Sequence, residues 1–163
     1  MERTEYAAIA LSGDFVPSEM CKIESVGLSS SQLFHSQIDL SRSKLKNYCK
    51  NFSSVVKTIS KYRNFITFND EQYPDALRNI FEPPAVLFYE GELSLINSQS
   101  ILAVVGSRKA DRYGVSIAKE YSRSLSETGI TIVSGLAVGI DAQAHLGALE
   151  GSGSTVGILG TGI

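Results

Sequence analysis

Blocks of apolar residues alternate with helical patterns along the second half of the chain. Ile101–Val105 is apolar throughout and leads directly into Gly-Ser-Arg. A short continuous apolar run of this kind is typical of a strand buried on both faces of a parallel sheet. Two further runs, Ile130–Val133 and Ser154–Leu159, follow it at regular intervals. We therefore predict three strands joined as strand–helix–strand units, which gives an α/β fold with a parallel sheet.

Two helices are predicted between these strands. The first covers Tyr113–Thr128 and ends at Gly129, and the second begins at Asp141 as its N-cap and ends near Glu150. The residues expected to face inward are apolar ones at helical spacing: Ile117, Ala118, Tyr121 and Leu125 in the first helix, and Ala144 and Ala148 in the second.

The first part of the chain has a different pattern. Residues 1–62 are expected to form a small helical module, in which Ser29–Ser31 caps one helix and apolar positions within Leu45–Ile59 define another. Asn64–Phe68 and Ala85–Tyr89 predict short strands. We place a domain boundary after residue 62, so that residues 63–163 form the α/β domain.

The charge distribution is uneven. The net charge of −2 argues against a generally basic nucleic-acid binder, but it leaves a local basic patch open. Residues 1–69 hold 9 Lys and Arg against 6 Asp and Glu, a net charge of +3. Residues 70–163 hold 6 against 11, a net charge of −5.

Cysteine content and the N-terminal segment indicate the class of protein. Cys21 and Cys49 occur without a CxxC motif or a Cys/His cluster, which favours two free thiols over a zinc site or a disulfide framework. The first fifteen residues resemble neither a signal peptide nor a membrane span. We therefore expect a cytoplasmic protein without a metal site. The chain stops shortly after a buried strand, so we expect a piece of a longer protein or a core completed by another polypeptide.

The turns after the first two strands carry the candidate chemistry. Ligands of open parallel sheets bind beyond the carboxyl ends of the strands. Glycine lets backbone N–H groups approach an anion closely, and an Arg can hold a phosphate with two hydrogen bonds. The residues in these positions are Gly106, Ser107 and Arg108 after the first strand, and Ser134, Gly135, Ala137 and Gly139 after the second. A single turn of this kind is more often structural, but two in succession favour an anion-binding edge.

Other sites fit less well. The sequence after Val105 lacks the G-x-G-x-x-G dinucleotide motif, and the chain has no Walker A loop. Ser134, Asp141 and His145 include the residue types of a catalytic triad, since Asp141 and His145 lie four apart on one helix. A helix cap and a buried polar residue explain the last two more simply. Two alternatives stay open. One is a nucleotide or nucleoside-phosphate hydrolase with Asp141 and His145 as its nearby acid and base, or a nucleotide-binding protein, on a related Rossmann-like fold. The other is a fragment whose loops are only turns.

A longer series of motifs narrows the choice. In chain order it comprises Tyr73-Pro74-x-x-Leu77, Pro83-Pro84-x-x-Leu87-Phe88-Tyr89-x-Gly91, Val104-Val105-Gly106-Ser107-Arg108, Tyr113-Gly114, Ser134-Gly135-Leu136-Ala137-x-Gly139-Ile140-Asp141 and Ala144-His145. From about Phe65 onward, the sequence resembles the DprA/Smf family of DNA-processing proteins. The resemblance implies an extended Rossmann-like domain preceded by a helical, SAM-like module in residues 1–62.

The resemblance also implies a function. Members of the family bind single-stranded DNA without sequence preference, protect incoming DNA and load the RecA recombinase during natural transformation, as homodimers. No cofactor and no catalytic activity are implied. Arg108 is the residue expected to contact the DNA backbone. The residues expected to shape the pocket and offer N–H donors are Gly106, Ser107, Ser134, Gly135, Ala137 and Gly139. Lys109, Arg112 and Tyr113 would lie at its rim.

Overall fold

The structure is a computed structural model, and it describes residues 3–11, 19, 20, 23, 57, 59 and 64–160. The chain divides into two compact units, Met1–Glu90 and Gly91–Ile163. No helix among the described residues combines the length and the apolar character needed to cross a bilayer.

The first unit contains a two-stranded sheet. Its elements in chain order are helix α1 (Arg3–Leu11), strand β1 (Phe65–Thr67), the short helix α2 (Asp75–Arg78) and strand β2 (Val86–Phe88). β1 and β2 pair antiparallel, with Phe65 opposite Phe88 and Thr67 opposite Val86. Both strands lie within the predicted ranges. Helix α1 contributes Ala7 and Ala8 to a small core with Ile59, against which Phe65 and Val86 pack.

An arginine holds the loop between β1 and α2. The guanidinium of Arg78 donates hydrogen bonds to the carbonyl oxygens of Phe68 and Asp70. It also lies 5.1 Å from the ring centre of Phe68 and 5.0 Å from that of Tyr73. Two charge-assisted hydrogen bonds and two cation–π contacts fix this turn. The Tyr73-Pro74 pair is thereby positioned by packing, and both residues are buried.

Most of the predicted helical module lies outside the described residues. This applies to the helix capped by Ser29–Ser31 and to nearly all of the helix predicted within Leu45–Ile59. Lys57 and Ile59 are helical, and Ile59 is buried. The SAM-like character of the module and the boundary after residue 62 stay predictions.

The second unit is an α/β structure with a three-stranded parallel sheet, as predicted. It comprises a 3₁₀ turn (Leu93–Asn97), strand β3 (Ile101–Ala103), helix α3 (Arg112–Glu127), strand β4 (Thr131–Ser134), helix α4 (Ile140–Glu150) and strand β5 (Thr155–Gly157). The strand order is β3-β4-β5, and Ala103, Val133 and Val156 lie side by side. Helix α3 is followed by Gly129 with a φ of +88°, the left-handed stop that the sequence predicted.

Strand β3 departs from its prediction. We expected Ile101–Val105 to be buried on both faces, but Ile101 is 40% exposed, Leu102 41% and Val105 71%. Among the described residues β3 pairs on one side only, with β4. Sequential strands with right-handed crossovers also place both helices over the same face of the sheet. The buried strand is therefore the central one, where Ile132 packs against Ala144 and Ala148.

The contact between α3 and α4 corrects the predicted inward face of α3. Tyr121 is 62% exposed, and the buried positions are the small residues Ala118, Ser122 and Ser126. The two helices approach so closely that a Cβ on Gly147 of α4 would lie 2.1 Å from the carbonyl oxygen of Lys119. A ring cannot fit into such an interface. The predicted burial of Ala144 and Ala148 is confirmed.

Candidate functional site

Two loops lie side by side at the carboxyl edge of the sheet. We call residues 104–111, between β3 and α3, the first loop, and residues 135–139, between β4 and α4, the second loop. They are neighbours because β3 and β4 are adjacent and parallel. The backbone N–H of Ile140, directly after the second loop, donates to the carbonyl oxygen of Ser107 at 3.3 Å. The structure thus brings the two predicted turns together.

Asp141 joins the two loops with its carboxylate. One oxygen accepts a hydrogen bond from the N–H of Gly106 at 3.3 Å, and the other accepts from the N–H of Gly135 at 3.2 Å. The prediction that Asp141 is the N-cap of α4 is wrong, because Gly139 occupies that position and Asp141 lies within the first helical turn. Its negative charge there is favourable at the positive end of the helix dipole. Two of the N–H groups predicted to face a bound anion therefore already bind a carboxylate of the chain.

Glycine is required where the loops touch. Gly139 has a φ of +90°, and a Cβ there would lie 2.3 Å from the carbonyl oxygen of Ser107 and 2.9 Å from the Cα of Arg108. A Cβ on Gly106 would lie 2.7 Å from the Cγ1 of Ile140. These separations are shorter than real side chains allow. Gly106 and Gly139 consequently permit the close packing that holds Arg108 at the edge.

Three cations lie on or beside the first loop. Arg108, Lys109 and Arg112 are all exposed, and within residues 64–160 none of the three forms an ion pair with a carboxylate. The loop that carries Arg108 and Lys109 has a defined shape, because the hydroxyl of Ser107 accepts a hydrogen bond from the N–H of Lys109 at 3.0 Å. The Asp111 carboxylate caps α3 by accepting from the N–H of Gly114 at 2.8 Å. The edge therefore presents unpaired positive charge on an ordered backbone.

The second loop contributes shape more than contacts. Ser134 is buried, and its hydroxyl donates to the carbonyl oxygen of Val104 at 2.6 Å. The carbonyl oxygen of Ala137 accepts a hydrogen bond from the N–H of Ala142, in the first turn of α4, at 3.0 Å. The predicted site residues Ser134 and Ala137 thus lie at the edge, and their polar groups named here already have partners within the fold.

Leu136 has a backbone conformation that its sequence context does not predict. It has a φ of +56°, a left-handed conformation that is uncommon for a residue with a side chain. Its side chain covers the end of β5, since a Cβ on Gly157 would lie 2.4 Å from the Cδ1 of Leu136. The side chain is still 54% exposed. No local signal predicts this conformation, because glycine or asparagine would be expected there.

The residues considered as a triad have separate structural roles. The Nδ1 of His145 lies 2.7 Å from the hydroxyl of Thr155, which donates its proton to the carbonyl oxygen of Ile132 at 2.8 Å. Nδ1 is therefore the protonated nitrogen. The other nitrogen, Nε2, is buried without a partner among the described residues. Burial lowers the pKa of His145, and the charge of Asp141 opposes this in part.

This geometry does not favour a hydrolase. The Ser134 hydroxyl, the Asp141 carboxylate and the protonated nitrogen of His145 each bind a different part of the fold. A nucleophile needs its base within hydrogen-bond reach, and the three groups do not form such a chain. The cations at the edge are the groups left free to meet a ligand.

The family model that matches this chain covers residues 64–163 and describes DNA recombination-mediator protein A. Both loops and the whole parallel sheet fall within the match. The chain belongs to this family. The motif series from Tyr73 to His145 lies within the matched residues, and the predicted family is confirmed.

Individual relatives agree with this assignment. The chain is 33% identical to the DNA processing protein DprA of Bacillus subtilis over 123 residues, which is 72% of this chain and 41% of the relative. It is 38% identical to Protein Smf of Synechocystis over 121 residues, 72% of this chain and 30% of that protein. The chain thus spans less than half the length of these relatives.

Solved structures of the family have the same fold. The crystal structure of DNA processing protein A from Streptococcus pneumoniae matches 99% of this chain and 59% of its own, with a TM-score of 0.82 at 28% identity. A structure of the Helicobacter pylori protein, whose description concerns its single-stranded DNA binding mode, matches 58% of this chain and 41% of its own. Its TM-score is 0.50 at 28% identity. The Rossmann-like fold class follows from the first of these matches.

Proposed function

We propose that the edge formed by the two loops binds the backbone of single-stranded DNA without sequence preference. The observation that carries the proposal is a set of three exposed cations: Arg108 and Lys109 on a loop whose backbone is fixed by glycine contacts, and Arg112 at the start of α3. Phosphate groups are the ligands that such a set recognises, and contacts to phosphate carry no sequence information.

The side chains make the phosphate contacts in this proposal. The N–H groups of Gly106 and Gly135 are already bound by Asp141, so they do not cradle the ligand. Arg108 follows the glycine contact directly and can bind one phosphate through two hydrogen bonds. Lys109 and Arg112, which both follow Arg108 in the chain, add positive charge. Ser107, through its hydroxyl, holds the loop in shape for them.

The wider role follows the family. The relatives are described as DNA processing proteins, and the Helicobacter pylori protein as binding single-stranded DNA. We propose that the whole protein to which this segment corresponds protects incoming DNA and loads RecA during natural transformation. In this role it acts as a cytoplasmic homodimer and without catalysis or a cofactor.

Replacement of Arg108 tests the proposal. We expect Arg108→Ala to weaken binding of an oligo-dT strand in a fluorescence-anisotropy titration, and to reduce the dependence of log K on log salt by about 0.7, the value for one phosphate contact on a single strand. Arg123→Ala is the matched control, because Arg123 is an exposed arginine on α3 that pairs with Glu127 at 3.0 Å. Unchanged affinity and unchanged salt dependence in Arg108→Ala would refute the proposal.

A further inference from the structure

The edge that carries the cations also exposes apolar side chains. Tyr113 is 75% exposed, Val138 69% and Leu136 54%. Tyr113 is the second residue of α3 and follows Arg112 directly, while the other two belong to the second loop. Apolar groups held in water beside unpaired cations have the composition of a site for single-stranded nucleic acid, in which bases stack while phosphates meet positive charge.

Ile140 shows how Tyr113 is placed beside the first loop. A Cβ on Gly114 would lie 3.7 Å from the Cδ1 of Ile140, and a Cβ on Gly106 would lie 2.7 Å from its Cγ1. The side chain of Ile140 therefore lies between the start of α3 and the start of the first loop. Tyr113 precedes Gly114 and so lies at the same edge as Arg108.

The backbone of Tyr113 is fixed while its ring remains in water. The Asp111 carboxylate caps the helix at the N–H of Gly114, and the N–H of Val115 donates to the carbonyl oxygen of Asp111 at 3.1 Å. A ring on a rigid helical turn loses little conformational freedom when a ligand binds, because tyrosine has only two side-chain torsions. Such a ring is well suited to accept the face of a base.

We propose that Tyr113 is a base-stacking residue, which makes this edge selective for unpaired bases. This inference rests on the proposed function, because it assigns the phosphates of the same strand to Arg108 and its neighbours. Val138, which is 69% exposed and precedes Gly139 at its contact with Ser107, adds an apolar group at this edge. In a duplex the base faces are covered by neighbouring bases, so Tyr113 contributes to binding of single strands and not of duplexes.

The test compares Tyr113→Ala and Tyr113→Phe with Tyr121→Ala. Tyr121 is an exposed tyrosine on the same helix, about two turns farther from the cations, and it controls for the loss of a surface ring. Three ligands are titrated by fluorescence anisotropy: an oligo-dT strand, an abasic strand with the same number of phosphates, and a duplex. We expect Tyr113→Ala to bind oligo-dT about tenfold more weakly than the wild type, with unchanged salt dependence.

The controls separate stacking from other effects. Affinity for the abasic strand and the duplex is expected to stay at the wild-type value in all three variants, and Tyr113→Phe and Tyr121→Ala are expected to bind oligo-dT normally. Equal weakening of oligo-dT and the abasic strand by Tyr113→Ala would overturn the inference. So would wild-type affinity in Tyr113→Ala when Arg108→Ala weakens binding. If the wild-type chain binds none of the ligands, the proposed function fails and this inference fails with it.

Discussion

Replacement of Asp141 tests whether one carboxylate holds the two loops together. Asp141 is only 7% exposed, and its carboxylate accepts hydrogen bonds from the N–H groups of Gly106 and Gly135. Asp141→Ala leaves both N–H groups without their acceptor. Asp141→Asn keeps one carbonyl oxygen and turns an NH₂ group toward the other N–H. The two variants should therefore destabilise the second unit to different degrees.

The distances set the expected magnitude. A hydrogen bond to a charged group contributes about 1.5–3 kcal/mol to stability. The two distances, 3.3 and 3.2 Å, lie at the long end of the range for N–H donors, so the lower value applies to each bond. We expect Asp141→Ala to lower the free energy of unfolding by about 3 kcal/mol and Asp141→Asn by about half of that. A small domain is stable by about 5–15 kcal/mol, so the alanine variant should still fold.

Urea unfolding followed by circular dichroism measures this loss. Glu150→Ala is the matched control, because Glu150 is a carboxylate on the same helix that forms an exposed ion pair with Lys119 at 2.6 Å. Exposed pairs contribute at most about 1 kcal/mol. Amide hydrogen exchange gives a second readout, since the N–H groups of Gly106 and Gly135 should exchange faster in Asp141→Ala. The reasoning is refuted if Asp141→Ala is no less stable than Glu150→Ala and both amides stay protected.

Two further substitutions address Gly139 and His145. Gly139→Ala should destabilise the protein more than Gly129→Ala, because both glycines have positive φ but a Cβ on Gly129 meets nothing within 4 Å. Only Gly139→Ala should weaken binding of oligo-dT. Equal losses of stability in urea unfolding would contradict this. His145 has its pKa lowered by burial from the ordinary value of 6.5, so the unfolded chain binds more protons than the folded one just below that pH. The contribution of neutral His145 to stability should be complete above about pH 6.5 and fall as the pH drops toward the lower folded pKa. Urea unfolding at a series of pH values measures how the free energy of unfolding depends on pH, and His145→Gln should remove this part of the dependence. An unchanged dependence would contradict the expectation.

The order of strands and helices could be predicted because it follows from local patterns. Apolar runs and helical spacing placed β3, α3, β4, α4 and β5 in the correct order, and Gly129 marked the end of α3. Burial was harder to predict. Ile101 and Tyr121 are apolar or aromatic in the expected places, yet both are exposed. Periodicity shows which side of an element is apolar, and only the tertiary arrangement shows what covers it.

The candidate site was predictable in its composition and not in its hydrogen bonds. Glycine-containing turns after two successive strands predicted that the two loops share one edge of the sheet, and the structure places them side by side there. Anion binding at this edge stays a prediction. The role of Asp141 depends on a contact with Gly106, 35 residues earlier in the chain. Sequence spacing on one helix suggested a cap or a catalytic partner instead. Leu136 likewise has a φ of +56° and lies against Gly157, 21 residues later in the chain, and no local rule reveals either feature.

The proposed function requires an acidic segment to hold DNA, and Asp141 together with the local charge gives a physical reason why it can. Residues 70–163 carry a net charge of −5, so the segment as a whole does not attract a polyanion. At physiological salt the field of a charge is screened beyond about 8 Å, and the local set of Arg108, Lys109 and Arg112 then decides the interaction. Because Asp141 satisfies the loop N–H groups before any ligand arrives, the cations are already in place when a strand approaches. Three phosphate contacts correspond to a salt slope of about −2, so a much steeper slope in a longer form of the protein would locate further contacts outside this segment.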